Sequence, residues 1–176
     1  MTQRDGKAPH GAPIQLFIRM NPPWVFIDEI RRFVESFCAC ACELAVNRES
    51  QLALAVHELM QNAVPNSHDQ EVDLILEVDP GANRVEVSVT NACVDAEYHS
   101  LKDRIEKMNS EPDALRHYVT AMKESPTTIR GGLGLARVRF EAQLDLSISR
   151  LAGRVTIHAS GALRTQPIAI PGGTHA

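Results

Sequence analysis

Two polar side chains stand one helical turn apart in the stretch HELMQNAVPNS, residues 57–67. Glu58 and Asn62 are four positions apart, so a helix would place both on one face. A carboxylate there can orient or deprotonate a nucleophile. The neutral oxygen of an asparagine side chain is a ligand that Mg²⁺ accepts together with phosphates and waters. A base and a magnesium ligand on one helical face are therefore the first chemical hypothesis.

The same stretch begins like a zinc-protease helix, because His57 is followed directly by a glutamate. A helix of that type needs a second histidine four residues after the first. Gln61 occupies that position, and no other motif supplies the second ligand. The zinc-protease interpretation is therefore rejected.

A second candidate site is the glycine-rich run RGGLGLA, residues 130–136. Glycines before a helix leave backbone N–H groups bare, so phosphate oxygens can approach the positive end of the helix dipole. The run is neither a P-loop nor a dinucleotide fingerprint, because the lysine of the first and the third glycine of the second are absent. Alone it is equally typical of a packing turn. Combined with Glu58 and Asn62, it favours phosphoryl transfer, which needs mainly positioning and charge neutralisation.

Composition limits the class of protein. The chain has 176 residues, of which 44% are hydrophobic and 23% charged, as in a single globular domain with a core. A net charge of -4 gives no reason to expect nucleic-acid binding. No apolar run is long enough to cross a bilayer, and the polar N-terminus lacks a signal core. We therefore expect a cytoplasmic protein that does not interact with membranes.

The spacing of apolar residues predicts the elements that position these groups. A strand is expected over 14–19. A helix should open after Pro22-Pro23 and end near Asn47, because its apolar residues recur at three-four spacing. A second helix should begin near Glu49. It should end close to Pro65, which cannot donate the helical hydrogen bond.

The rest of the chain predicts two hairpins separated by helices. The expected segments are strands over 71–79 and 84–90, two short helices within 95–124, a helix after the glycines to about residue 142, strands over 146–151 and 154–160, and a C-terminal edge strand. This order favours an α+β fold, a two-layer sandwich with a mixed, largely antiparallel sheet and helices on one face. We expect one domain over 14–165 with a helical insert over 95–130, between tails over 1–13 and 166–176.

At these motifs the sequence resembles the GHKL superfamily of ATPases, which includes gyrase, histidine kinases and the anti-sigma serine kinases. LAVHELMQNAV resembles the N-box of the family and RGGLGLARV its second glycine box, within a resemblance that spans about residues 14–160. The segment IRRFVESF followed by LALAVHELMQNAV is most similar to the anti-sigma and partner-switching kinases. The resemblance implies a Bergerat-type sandwich that binds ATP and Mg²⁺.

The resemblance also implies roles for individual residues. Glu58 would be the catalytic base and Asn62 the Mg²⁺ ligand. The residues implied at the nucleotide are Asn62, Asn66, Asn91, Thr128, Gly131, Gly132, Leu133, Gly134 and Leu135. The implied protein is a Mg-ATP-binding anti-sigma-type regulator, a serine/threonine kinase whose partner is an antagonist or a sigma-type protein. The resemblance leaves open whether the protein forms a homodimer.

Asn91 marks a departure from the family pattern. The first glycine box usually reads Asp-x-Gly-x-Gly after a strand, and its aspartate accepts a hydrogen bond from adenine. Here VEVSV is followed by Thr90-Asn91-Ala92-Cys93, so an amide stands at the aspartate position and both glycines are absent. An amide oxygen accepts that bond without the help of a charge. A second interpretation therefore stays open, a GHKL-fold module that sequesters a regulatory protein without using ATP.

The insert is a second departure. About 40 residues separate Asn91 from Gly131, more than the short lid usual in the anti-sigma kinases. Its charged, helical composition predicts a lid or a surface that docks a partner.

Overall fold

The computed structural model describes residues 12–21, 24–41, 44, 47–124 and 132–164. Within these ranges five strands form one sheet: β1 (Ile14–Met20), β2 (Val72–Asp79), β3 (Arg84–Ala92), β4 (Asp145–Leu151) and β5 (Arg154–Ala162). Their order across the sheet is β1-β2-β3-β5-β4, and every pairing between them is antiparallel. Both predicted hairpins, β2–β3 and β4–β5, are confirmed.

Five α-helices accompany the sheet in the described part of the chain: α1 (Ile27–Ala41), α2 (Arg48–Ala63), α3 (Asp95–Ser110), α4 (Ala114–Glu124) and α5 (Gly132–Phe140). A 3₁₀ turn over Trp24–Phe26 precedes α1, and another over Val64–Asn66 follows α2. Pro65 lies in the second turn, as expected from its missing N–H.

The expected end of the first helix near Asn47 is wrong, because α1 already ends at Ala41. Asn47 has a left-handed backbone, with φ of 68°, directly before α2. A left-handed residue cannot continue a right-handed helix. Asn47 therefore lies outside both helices, and α1 packs against α2.

The core lies between one face of the sheet and the helices α1, α2 and α5. Successive side chains of a strand point to opposite faces, so alternate residues of each central strand enter it. The buried core residues of the strands are Val72, Leu74, Leu76, Val78, Val85, Val87, Val89, Leu146, Ile157 and Ala159. The helices contribute Ile27, Ile30, Val34, Leu52, Val56, Leu59, Leu135 and Val138. The predicted α+β sandwich with helices on one face is confirmed.

The opposite face of the sheet is mainly polar over β3 and β5. Ser88 and His158 are hydrogen-bonded there across β3 and β5 at 2.9 Å, and Thr90 and Thr156 at 2.8 Å. In the described part of the chain, no helix combines the length and the apolar character that a membrane span needs. The predicted C-terminal edge strand, residues 1–11 of the N-terminal tail predicted over 1–13, and the predicted tail over 166–176 lie outside the described residues.

The two predicted helices of the insert are α3 and α4, and each contacts the helix that carries the glycine box. Tyr118 of α4 stacks on Phe140 of α5 with ring centroids 5.2 Å apart. Arg139 of α5 donates hydrogen bonds to the carbonyl oxygens of Met108 and Glu111, both at 2.6 Å, where α3 ends. Both helices of the insert therefore pack against α5, the next helix along the chain.

Candidate functional site

A cavity of about 340 Å³ lies between the end of α2, the end of β3 and one face of α3. Three of the predicted site residues line it, Asn62, Asn66 and Asn91. Val155 and Ile157 of β5 add apolar surface to the same wall. Small-molecule sites have volumes of roughly 300–1,000 Å³ and combine apolar surface with a few polar groups. The cavity has that character at the lower end of the range.

Backbone carbonyl groups orient the three asparagine side chains. Asn62 Nδ2 donates to Glu58 O, one turn earlier in α2, at 2.8 Å. Asn66 Nδ2 donates to Asn62 O at 2.6 Å, and Asn91 Nδ2 donates to Asn66 O at 3.2 Å. A carbonyl group only accepts hydrogen bonds, so each NH₂ group must face it, and each amide oxygen is left to accept or to coordinate another group.

Asn62 suits a hard cation, because its nitrogen is engaged by the helix and its oxygen is not. In the described ranges, no group of three or more His, Cys, Asp or Glu side chains is placed to hold a metal ion. Mg²⁺ often takes only one or two protein ligands and completes its shell with phosphate oxygens and waters. The residues present therefore fit a magnesium ion that arrives with a phosphate-bearing ligand.

Asn91 has a structural task that explains the amide at this position. Its side chain is buried, with 4% of the residue exposed, and its NH₂ group also donates to Ala92 O at 3.0 Å. These bonds join β3 to the 3₁₀ turn after α2. An aspartate would lose both donors and would set a negative charge against two carbonyl oxygens. The Asn91 oxygen remains the acceptor that the resemblance implies for adenine.

Glu58 lies one turn before Asn62 but is not part of the cavity wall. It is 5% exposed, and its carboxylate forms an ion pair with Arg137 of α5. Arg137 Nε also donates to Glu141 Oε1 at 3.0 Å. The hydrogen bond to Glu141 and the charge of Glu58 hold the pKa of Arg137 above its usual range. The implied base is therefore paired with a cation in this structure.

Gly134 packs against the same carboxylate. A Cβ atom on residue 134 would lie 2.6 Å from Glu58 Oε2, well inside van der Waals contact. Arg137 follows three residues later, so both residues face α2 from one side of α5. The first turns of α5 therefore dock on α2 at Glu58, about 6 Å along the helix axis from Asn62.

The remaining glycine-box residues are positioned differently from each other. Gly132 is the first residue of α5, Leu133 is half-buried, and Leu135 lies in the core with 1% exposure. Thr128 and Gly131 lie outside the described residues. None of the described residues 132–135 lines the cavity. The fold thus brings the three asparagines together and sets the described part of the glycine box beside Glu58.

The close approach of Gly134 to Glu58 leads to a first prediction. Gly134→Ala should lower the free energy of unfolding by about 1–3 kcal/mol, the usual range for overpacking, because the ion pair with Arg137 restricts retreat of the carboxylate. In a Glu58→Ala background the same change should be neutral or stabilising by up to about 1 kcal/mol, since alanine favours a helix over glycine. Guanidinium unfolding of the four proteins measures this cycle. Equal costs in both backgrounds would contradict the contact.

Several site residues escaped the sequence analysis. The sequence could have indicated Arg137, because it stands three residues after Gly134 and must share its helical face. The α3 residues Glu97, Leu101 and Arg104 also line the cavity, and their four-three spacing places them on one face of that helix. That spacing was visible, but nothing in the sequence indicated which face of α3 would meet the cavity.

A polar cluster closes the α3 end of β3. His68 Nε2 and Glu97 Oε2 are 2.9 Å apart, and this hydrogen bond holds the pKa of Glu97 below its usual range. Cys93 lies beside Glu97, with 3.6 Å between its Sγ and Oε2. Burial raises the pKa of the Cys93 thiol, so the thiol is neutral near pH 7. The cavity is therefore lined here by a paired carboxylate and an uncharged thiol.

Comparison with known proteins adds information on the fold. No family model matches the sequence. No curated protein matches it either. Among solved structures, a chain in the crystal structure of the SiaB-SiaC complex from Pseudomonas aeruginosa matches with a TM-score of 0.62. The match covers 82% of this chain and 88% of that chain.

The fold is similar to that of a protein solved in a complex. The sequence identity of the match is 16%, so the likeness concerns the fold and does not by itself transfer chemistry.

Proposed function

We propose that this chain is a Mg-ATP-binding regulatory protein of GHKL type, a serine/threonine kinase that acts on an antagonist protein in a partner-switching pathway. The observation that carries the proposal is the convergence of Asn62, Asn66 and Asn91 on one cavity. Their amide oxygens provide acceptors and a magnesium ligand, and Val155 and Ile157 provide apolar surface for a base. Both features are needed for a nucleotide.

Each group has a role in the proposed reaction. Asn91 accepts a hydrogen bond from the amino group of adenine, and Asn62 coordinates the ion. Bound Mg²⁺ supplies neutralisation of the negative charge on the phosphates. Glu58 orients or deprotonates the hydroxyl group of the protein substrate. Since Arg137 pairs with Glu58, this role requires Arg137 to release the carboxylate when substrate binds.

Two observations support a protein partner. The similar chain was solved in a SiaB-SiaC complex, so a protein of this fold assembles with another protein. In addition, α4 exposes an apolar stripe at i, i+4 and i+7, formed by Leu115, Val119 and Met122. Exposed apolar groups in one row are typical of interaction surfaces.

The ion pair of Glu58 favours a second candidate function. A carboxylate that is buried and paired with Arg137 can be a structural group that joins α2 to α5. The chain would then be a GHKL-fold module that captures a regulatory protein without using ATP. This candidate predicts that capture of the partner is indifferent to nucleotide and to Asn62→Ala.

Thermal unfolding with and without nucleotide tests the proposed function. A ligand that binds only the folded state stabilises it by about 2.7 kcal/mol at a hundredfold excess over its dissociation constant. For a domain of this size we expect Mg-ATP to raise Tm by about 5–10 °C. Mg²⁺ alone should have a much smaller effect, because Asn62 is a single neutral protein ligand.

An unchanged Tm at millimolar Mg-ATP would contradict the proposed function and favour the binding module. An equal rise with Mg²⁺ alone would instead indicate an ion site that does not depend on nucleotide.

A further inference from the structure

Arg104 of α3 differs from the other buried or half-buried arginines among the described residues. It is half-buried in the cavity wall, yet no described residue accepts a hydrogen bond from its side chain or pairs with it. Every other buried or half-buried arginine in the described ranges donates to a carboxylate or a carbonyl oxygen; these are Arg48, Arg137, Arg139, Arg150 and Arg154. The donors of the Arg104 guanidinium are therefore available at the cavity wall, where they can form charge-assisted hydrogen bonds with an anion.

The position of Arg104 along α3 indicates at which end of the cavity its side chain lies. Glu97 and Arg104 lie on one face of α3, about 10 Å apart along the axis. The Glu97 end adjoins Cys93 and therefore the end of β3. The opposite end of α3 is bonded to α5, because Arg139 donates to Met108 O one turn beyond Arg104. Arg104 thus lies toward the helix that carries the glycine box.

Among the described residues that line the cavity, Arg104 is the charged residue without a hydrogen-bonding or ionic partner. The lining contains one carboxylate, that of Glu97, and one guanidinium. Glu97 is already bonded to His68 at 2.9 Å and to the backbone N–H of Val94 at 3.4 Å. The guanidinium has five donors in a planar fork that matches the oxygens of a phosphate group. The cavity therefore selects a ligand whose anionic end lies toward α5.

We propose that Arg104 binds the phosphate groups of a nucleoside polyphosphate in this cavity and thereby distinguishes a nucleotide from its nucleoside. The inference rests on the proposed function. It assigns to the insert a ligand-binding residue outside the N-box and glycine-box motifs.

A set of titrations with adenosine, AMP, ADP and ATP in the presence of Mg²⁺ tests the inference. Arg104→Met keeps an unbranched apolar chain in place of the aliphatic part of the side chain and removes the guanidinium. We expect it to weaken ATP binding by about 10- to 100-fold, the range for charge-assisted hydrogen bonds, and to change adenosine binding by less than about twofold. Arg104→Lys should recover part of the lost ATP affinity. Arg116→Met is the matched control, because Arg116 of α4 is exposed and lies outside the cavity.

The possible outcomes separate the inference from the function on which it rests. If the wild type binds ATP and Arg104→Met binds it equally well, the inference is wrong and the proposed function stands. If Arg104→Met weakens adenosine and ATP to the same extent, Arg104 shapes the cavity and does not bind phosphate. If the wild type binds none of the four ligands, the proposed function fails and the inference fails with it. Circular dichroism and thermal melts of each variant exclude loss of folding as the cause.

Discussion

Replacing Glu58 by Gln is expected to slow γ-phosphate transfer by about 10²- to 10⁴-fold, the usual contribution of a general base. The change removes the charge and keeps the shape, so the amide oxygen of Gln can still accept a hydrogen bond from Arg137. Since Glu58 is outside the cavity wall, the dissociation constant of Mg-ATP should change by less than about threefold. Single-turnover loss of radiolabelled γ-phosphate, to a protein recovered with this chain or to water, gives the rate. Equilibrium titration gives the affinity.

Glu141→Gln is the matched control for this experiment. Glu141 is the other carboxylate bonded to Arg137, and it directly follows α5 in the chain. Its loss should leave transfer within about tenfold of the wild type, because Glu58 and its position are retained. If both changes slowed transfer equally, the arginine network as a whole would be responsible. If neither did, Glu58 would be a structural group, as the second candidate function requires.

Replacing Arg48 by Met is expected to lower the free energy of unfolding by about 2–4 kcal/mol. Arg48 is fully buried at the start of α2, and it donates to Ala142 O at 2.5 Å and to Ala162 O at 2.7 Å. Met fills a similar volume but removes the donor to the buried Ala142 O, at about 1–3 kcal/mol for an unpaired buried acceptor, and the donor to the part-buried Ala162 O, at a smaller cost. Burial lowers the pKa of Arg48 to about 10, so the residue is charged near neutral pH. The variant gains from losing that buried charge, which reduces the net effect.

Denaturant unfolding measures the change, and Arg32→Met serves as its control. The Arg32 side chain is 70% exposed and forms an i,i+3 pair with Glu29. Exposed pairs of this kind contribute between nothing and about 1 kcal/mol. A loss at Arg48 no larger than that at Arg32 would show that its hydrogen bonds to the backbone do not stabilise the fold.

The elements were predictable where a local pattern determines them. Val72, Leu74, Leu76 and Val78 recur at every second position of β2, so the strand and its buried face follow from the sequence. Pro65 determined where α2 gives way to a 3₁₀ turn. The end of α1 was not predictable, since the apolar spacing continues past Ala41 to Leu44, whereas Leu44 is not helical and Asn47 has a left-handed backbone. A periodic pattern gives the face of a helix more reliably than its length.

The candidate site was predictable where its residues share one helix. Glu58 and Asn62 follow from helical spacing, and Asn91 was indicated by the family resemblance, in which it stands at the aspartate position. Contacts between distant segments have no such signal. The pair of Glu58 with Arg137 joins residues 79 positions apart, and the free guanidinium of Arg104 stands in a helix whose composition resembles a solvated face. Such features depend on which faces meet, and tertiary packing alone decides that.

The central claim is that the cavity beside Asn62 binds Mg-ATP, and calorimetric titration tests it most directly. The wild type should bind ATP in the presence of Mg²⁺ and bind it at least about tenfold more weakly in EDTA. Asn62→Ala should lose most of this dependence on Mg²⁺. Asn109→Ala, a change on the α3 surface where the side chain bonds to Leu146 O, should titrate like the wild type. The account is contradicted if the wild type gives no saturable heat with millimolar Mg-ATP. It is also contradicted if Asn62→Ala binds ATP with the same Mg²⁺ dependence as the wild type.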